Sequence, residues 1–218
     1  MKVMNNNSTK QVLLSVLGVA ILVVAVVGVS FAFFTYSQAG TTENTITTGT
    51  LVFKYDEKTS GINLTNAVPI TDVEGKALTG ASNVFDFSVT STIKGNTTIS
   101  YEISAKSDVS KIDAAKRLDP KYVKVRLSSI TDGSAVSGTE LKLAYFDKLT
   151  PATGDATSSL LYTGIATASD TPVTKWYRLQ MWMADTDSAS QPTVMNESTN
   201  GKIFTIKVNV TAKDTGTK

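Results

Sequence analysis

Strict alternation of apolar and polar side chains is the feature that most constrains how this 218-residue chain can fold. A period of two places the apolar residues of a strand on one face of a sheet, and the abundant β-branched Thr favours strands over helices. The alternating pattern recurs in seven segments, which begin at Leu51, Phe85, Ile99, Val123, Leu141, Tyr177 and Phe204. Two further segments, NTIT at 44–47 and LYTG at 161–164, are weaker candidate strands.

Most of these segments have one apolar and one polar face, which is typical of antiparallel sheets packed face to face. Clusters of turn-forming residues separate them. One segment, SDVSKIDAAKRLDP at 107–120, predicts a helix, with Ser110 as its N-cap and Pro120 at its end. We therefore expect an all-β, antiparallel β-sandwich with one short helix in a connection.

An apolar segment at 12–34 follows a basic N-terminal stretch. It is long enough to cross a bilayer, which takes about 20 residues. Secretory signals also have a basic start, an apolar middle and small residues before the cut, a role that Ser30 and Ala32 can fill. We expect a signal peptide over 1–32, cleaved between Ala32 and Phe33, and a retained membrane anchor is the open alternative.

The charge of the chain after Ala32 is balanced. Subtracting the two lysines that precede Ala32 from the 21 Lys and Arg leaves 19, which equals the 19 Asp and Glu. A neutral surface gives no electrostatic reason to expect nucleic acid as a partner, and it weakens repulsion between copies of the chain. The seven predicted strands all lie within 49–218, where we expect one β-sandwich domain.

Cys and His are both absent from the sequence. Their absence excludes disulfides, a Cys nucleophile, a Ser-His-Asp triad and an HExxH zinc site. We therefore expect no catalytic residue, no metal and no cofactor. Asp185 and Asp187 resemble the start of an EF-hand loop, but Gly at position 6 and Glu at position 12 are missing, so we expect a solvated loop.

Two further groups of residues have a possible chemical role. The carboxylate pairs Asp56-Glu57 and Asp72…Glu74 lie in turn-like stretches, and we expect solvated surface there. Trp176, Tyr177 and Trp182 could form a sugar-binding platform. Because large exposed aromatic side chains are uncommon, we expect the 107–120 helix or a long loop to cover them.

The N-terminal half carries three recognisable stretches: SFAFFTYSQAGTTENTITTGTLVF, INLTNAVPITD and FDFSVTSTIKGNTTISYEI. Together they resemble the TasA/camelysin family of secreted biofilm-matrix fibre proteins. The matching residues are Ala32 to Phe34, Thr45 to Leu51, Ile62 to Pro69, and Phe85 to Gly95. The last match is imperfect, because Ser91 stands where the family pattern has Asn and the Gly comes two residues late.

The resemblance implies a jelly-roll sandwich, export through a dedicated signal peptidase, and assembly into extracellular fibres by donor-strand exchange. In that process the mature N-terminus adds a strand to the next subunit. The segment 33–48 is the candidate donor strand. Its aromatic and β-branched side chains include Phe33, Phe34, Tyr36, Thr45 and Ile46.

The expected function is therefore a structural subunit secreted to the extracellular matrix or cell surface of a bacterium, and we expect that bacterium to be Gram-positive. Its expected partners are further copies of itself, joined head to tail, the signal peptidase, and other matrix proteins. A membrane-anchored surface adhesion or binding module is the alternative, and a secreted peptidase is a third. The metalloprotease label of camelysin-like proteins does not transfer, because this chain has no His.

Overall fold

The computed structural model describes residues 16–17, 36–39, 44–48, 51–57, 62–94, 98–108, 112–135 and 138–214. The expected cleavage junction at Ala32 and Phe33 lies outside the described residues, as does the expected leader except for Val16 and Leu17. The chain divides into two compact units, residues 1–35 and 36–218. The fold below is that of the second unit, which includes part of the candidate donor segment 33–48.

Strands dominate the described part of this unit, and short helical turns connect some of them. The helical elements are α1 (Asp72–Lys76) and the 3₁₀ helices η1 (Ala114–Lys116), η2 (Pro120–Tyr122) and η3 (Phe146–Lys148). The strands are β1 (Tyr36–Ala39), β2 (Asn44–Thr48), β3 (Leu51–Glu57), β4 (Asn63–Thr65), β5 (Val84–Ile93), β6 (Ile99–Ser107), β7 (Val123–Ile130), β8 (Thr139–Tyr145), β9 (Ser159–Ala166), β10 (Ser169–Met183) and β11 (Ile203–Asp214). The seven predicted strands and both weaker candidates are confirmed.

The strands form two antiparallel sheets whose order is that of a jelly roll. One sheet has the order β1-β11-β6-β9, with β4 also paired to β11, and the other has the order β2-β3-β5-β10-β7-β8. Strands β4 to β11 are divided between the sheets as β4-β11-β6-β9 and β5-β10-β7-β8. This is the rolled-up arrangement of an eight-stranded jelly roll. The predicted antiparallel sandwich is confirmed, and β1, β2 and β3 lie outside the eight-strand set.

The core between the sheets consists of the apolar faces that the alternation predicts. Phe87 is fully buried and stacks with Phe85 and Tyr177 at ring-centroid distances of 5.5 Å each. Tyr177 also shares a buried hydrogen bond between hydroxyl groups with Tyr101 of the opposite sheet. Burial raises the pKa of the Tyr177 hydroxyl, so it stays neutral and joins the two sheets as a hydrogen-bonding group.

The outer face of the six-stranded sheet is polar in sequence but largely buried. Arg178 on β10 donates two hydrogen bonds to Asp86 on β5, at 2.8 and 2.7 Å. Gln180 is 1% exposed, and its Nε2 donates to the carbonyl oxygens of Lys76, the last residue of α1, and of Leu78 just after it. The alternation predicts that this polar face is exposed to solvent. The segment around α1 instead covers part of the face.

The predicted helix at 107–120 is wrong. Strand β6 continues to Ser107, and among the described residues between it and Pro120, which are 108 and 112–119, only the three residues of η1 are helical. The segment instead runs beside the start of β11: the Leu118 N–H donates to the Ile203 carbonyl at 2.9 Å, and the Leu118 side chain is buried in the core. Burial of this leucine and pairing with β11 outweigh the helix propensity of the two alanines.

Among the described residues of the second unit, the one α-helix is the five-residue α1, which the sequence prediction missed. Thr71 is its N-cap, and its side chain and the Glu74 carboxylate satisfy each other's backbone N–H groups in a capping box. Five residues are too few to show a helical period, so the only available signal was the pattern Thr71-x-x-Glu74.

Candidate assembly edge and ligand pocket

Strand β1 lies at the edge of the sheet that contains β11. It pairs antiparallel with the C-terminal half of β11, with Tyr36 opposite Ala212 and Ala39 opposite Asn209. Strand β4 occupies the same edge of β11 further back, at Ile203–Thr205. The jelly roll therefore keeps its own strand β4 at this edge, and β1 is an addition to it.

The candidate donor segment 33–48 does not form one continuous strand. Thr45 and Ile46 lie in β2, which pairs with β3 in the other sheet, where Thr45 is opposite Lys54 and Ile46 opposite Phe53. Tyr36 lies in β1. Phe33 and Phe34 fall outside the described residues. The structure thus places Tyr36 at the edge of one sheet and Thr45 and Ile46 at the edge of the other.

The β11 residues opposite β1 are buried, and a loop holds them in place. Val210 faces the core, and Asn209 is on the outer face with 7% of its surface exposed. Asn209 Nδ2 donates to the Ser158 hydroxyl at 3.3 Å, which in turn donates to Asp155 at 2.8 Å. The loop 150–158 is therefore fixed to the outer face of β11.

The same loop is fixed to β6, the neighbour of β11. The Glu102 carboxylate accepts a hydrogen bond from the backbone N–H of Thr153 at 3.0 Å, and Lys106 donates to Thr157 at 2.6 Å. Hydrogen bonds from Thr157 and Ser158 lower the pKa of Asp155 to about 2, so it is ionised at neutral pH. These contacts give β11 a rigid outer face next to the edge where β1 pairs.

The three aromatic residues considered for a sugar platform are separated. Tyr177 is in the core and Trp182 is 1% exposed, whereas Trp176 is half-buried. The indole of Trp182 packs on Gly75 of α1, where a Cβ atom would lie 2.3 Å from Cδ2 and Cε2 of the ring. The expectation of a cover is met for Trp182, but by α1 and not by the 107–120 segment.

Trp176 nevertheless lines a pocket of about 340 Å³. The pocket lies where β7 has ended, because β10 pairs with β7 only from Trp176 to Met183. Tyr162 of β9, in the opposite sheet, contributes a second half-buried aromatic ring. The full lining is Ser129, Ile130, Leu141, Tyr162, Thr174, Lys175, Trp176 and Tyr177.

Four of the six acidic residues singled out in the sequence have structural roles: Glu57, Asp72, Asp187 and Glu74, which caps α1. Asp72 pairs with Lys124 at 2.8 Å, and Glu57 accepts a hydrogen bond from the buried Tyr55 hydroxyl at 2.9 Å. Asp185 is exposed, as the prediction of a solvated loop requires, but Asp187 is only 8% exposed, so the prediction is wrong for that side chain. Backbone hydrogen bonds from Gln191 and from residue 189 lower the pKa of Asp187, so its carboxylate stabilises the loop that contains it.

Within the described part of the chain, no group of three or more Asp and Glu side chains is placed to hold a metal ion. Among the same residues, no helix has the length and apolar character needed to span a membrane. Of the predicted cleavage and donor-strand residues, Tyr36, Thr45 and Ile46 lie on the two sheet edges. The others, Ala32 to Phe34, lie outside the described residues.

Comparison with known proteins gives little similarity. No protein-family model matches the chain, and no curated protein matches it. Among solved structures, the carbohydrate-binding module TmCBM61 in complex with β-1,4-galactotriose aligns with 74% of this chain and 88% of that chain, at 6% sequence identity and a TM-score of 0.23. At that TM-score the likeness carries no argument about this chain.

Sequence reasoning missed two parts of these sites. It found the strand that begins at Phe204 but not that the C-terminal half of β11 pairs with β1, because strand order across a sandwich depends on contacts distant in sequence. It also gave no role to Tyr162, whose only signal was its place in the weak LYTG strand.

Proposed function

We propose that this protein is a secreted structural subunit of extracellular matrix fibres, similar to the TasA/camelysin proteins, and that its subunits join head to tail by donor-strand exchange. In this proposal β1 of one subunit leaves its own β11 and pairs with β11 of the next subunit. The segment 33–48 supplies the donor, with β1 as its pairing part and residues 40–43 as the connection to β2. No catalytic role is assigned.

The observation that carries the proposal is that β1 precedes the eight strands of the jelly roll and lies outside them. Among the described residues, β11 pairs with its permanent neighbour β6 at nine positions and with β1 at four. Release of β1 therefore leaves the eight-strand sandwich and its core intact. After the proposed removal of residues 1–32, β1 lies close to the N-terminus, where a strand is free to leave its domain without moving other elements with it.

Exchange costs little because it replaces each lost pair by the same pair in the next subunit. The backbone hydrogen bonds of β1 to β11 in one chain are re-formed between chains, as in domain swapping. The rigid outer face of β11, held by Glu102, Asn209 and the loop 150–158, reduces the ordering that the incoming strand must impose. Head-to-tail donation need not close on itself, so it can extend into a fibre.

A cysteine pair across the β1–β11 ladder tests the exchange, because the natural chain has no Cys. Ser37 and Thr211 are directly opposite each other, and paired positions of this kind are close enough for a disulfide. We expect oxidised filaments of the Ser37→Cys/Thr211→Cys variant to give a ladder of covalent oligomers on a non-reducing gel. Each single-Cys variant is the control for random cross-linking.

A second pair gives the matched control for linkage inside one subunit. Lys106 and Lys207 are opposite each other on β6 and β11, which both belong to the jelly roll. The Lys106→Cys/Lys207→Cys variant should therefore give only cross-linked monomer. If Ser37→Cys/Thr211→Cys filaments also give only monomer, exchange of β1 is wrong and lateral edge contacts become the better explanation.

Deletion of the donor gives the complementary test. A chain lacking residues 1–39 should stay folded by circular dichroism but monomeric by light scattering, and a peptide of residues 33–48 should stop growth of the intact protein. Absence of filaments from the concentrated intact protein by electron microscopy would instead refute the fibre function itself.

A further inference from the structure

We propose that the pocket between Trp176 and Tyr162 binds one neutral sugar unit of a polysaccharide. The proposal depends only on this pocket and not on strand exchange. Its volume of about 340 Å³ is at the lower end of the range of small-molecule sites, which are about 300–1,000 Å³. That size suits a single ring with its substituents and not an extended chain.

The walls of the pocket offer both kinds of contact that a pyranose needs. The C–H faces of the sugar ring pack on aromatic rings, and the sugar hydroxyl groups require hydrogen-bond partners at the rim of the pocket. Trp176 on β10 and Tyr162 on β9 provide half-buried rings from the two sheets. Two other clefts, of about 380 and 290 Å³, have only the buried Phe204 and the buried Trp182 as aromatic lining.

Polar atoms that converge on the pocket still have hydrogen-bonding capacity. Among the described residues, the Trp176 indole N–H, the Tyr162 hydroxyl and the Ser129 hydroxyl have no hydrogen-bond partner, although all three belong to half-buried side chains in the pocket wall. The Thr174 hydroxyl shares one hydrogen bond with Thr90 at 2.8 Å and has capacity for another. Together they supply donors and acceptors, the combination that sugar hydroxyls match.

The charges of the pocket favour an uncharged ligand. No described Asp or Glu lines it, and the one cationic group of its described lining, the Lys175 ammonium, donates to the Ile165 carbonyl oxygen at 2.8 Å. A uronate or phosphate would therefore have to displace that hydrogen bond to find a counter-charge. A peptide strand is the other occupant to consider, because the edge of β10 is open at Thr174 and Lys175. Pro172 on the same edge has no N–H to donate, which disfavours pairing with a peptide strand.

The test uses the whole protein and a panel of immobilised oligosaccharides built from neutral hexoses and N-acetylhexosamines, beside uronate-bearing oligosaccharides and extended heptapeptides. We expect a neutral oligosaccharide to bind, and we expect Trp176→Ala and Tyr162→Ala each to weaken that binding at least tenfold. Val173→Ala is the matched control, because Val173 is exposed on the same strand without lining the pocket, and it should bind as the unaltered protein does.

Fluorescence locates the site independently, since the chain has two tryptophans. Sugar binding should change the emission of the natural protein but not of Trp176→Phe, in which only the buried Trp182 remains. Thr174→Val, an exposed and nearly isosteric change, should also weaken binding and serves if the aromatic variants fail to fold. The proposal is overturned if no neutral sugar binds, if only acidic sugars or peptides bind, or if folded pocket variants bind unchanged.

Discussion

The ion pair between Asp86 and Arg178 holds the centre of the six-stranded sheet, and its removal gives a quantitative test of the outer face. Both side chains are nearly buried, at 7% and 9% exposure, and two hydrogen bonds of 2.8 and 2.7 Å join them in the parallel, two-point geometry that Arg forms with carboxylates. The hydrogen bond to Asp86 raises the pKa of Arg178, so the guanidinium stays charged at neutral pH.

Replacing Asp86 with Ala should destabilise the protein because it leaves the Arg178 guanidinium buried without its counter-charge. Removing one partner of a buried pair costs about 3–5 kcal/mol. For a domain of this size each kcal/mol lowers the Tm by about 2–4 °C, so the expected loss is about 6–20 °C. Since whole domains are stable by about 5–15 kcal/mol, urea unfolding followed by circular dichroism will resolve it.

The double variant Asp86→Leu/Arg178→Met separates the net contribution of the ion pair to the free energy of unfolding from the cost of leaving one buried charge unpaired. Replacing both charges with apolar side chains of similar size is often neutral or stabilising in proteins. We therefore expect the double variant to be markedly more stable than Asp86→Ala. If Asp86→Ala costs less than about 1 kcal/mol, or if the double variant is as unstable as the single one, Arg178 is not buried by the sheet as described.

Two further substitutions test the cover of the sheet and the loop beside β11. Gly75→Ala should cost about 1–3 kcal/mol in urea unfolding, because its Cβ would overlap the Trp182 ring, and a gain in stability would refute the packing of α1 on that ring. Asp155→Asn should reduce the loss of stability between pH 4 and pH 2. Because the pKa of Asp155 is lowered to about 2, its carboxylate stabilises the folded protein above pH 4, and this stabilisation is lost as the pH falls through 2. Equal losses of Tm in the variant and the natural protein would contradict this role.

The strands and the sandwich were predictable because the signal is local. Alternation in the segments that begin at Phe85, Tyr177 and Phe204 fixes which side chains face the core, and all three strands bury those faces. The helix prediction at 107–120 failed because alanines and a following Pro are weak local signals. There, a single tertiary contact, the burial of Leu118 beside β11, decided the conformation.

The sites were predictable only in part, because they depend on which strands become neighbours. The sequence marked the stretch around Tyr36 and Ile46 as strand-forming, but it did not show that the two residues belong to different sheets. It marked Trp176 as an aromatic on the polar face, but it could not place Tyr162 in the same pocket, because the two residues come from opposite sheets. Such juxtapositions follow from jelly-roll topology and not from local pattern.

The two proposed sites occupy opposite edges of the sandwich, which makes them compatible. Strands β1 and β2 are at one end of each sheet order, whereas β9 and β8 are at the other end, and the pocket is lined by residues of β7 to β10. Exchange of β1 would therefore leave the pocket of every subunit open along a fibre. Because linked sites raise avidity by about 10²–10⁴ without any new contact, a fibre with one weak sugar pocket per subunit would hold a repeating polysaccharide far more tightly than a single subunit does.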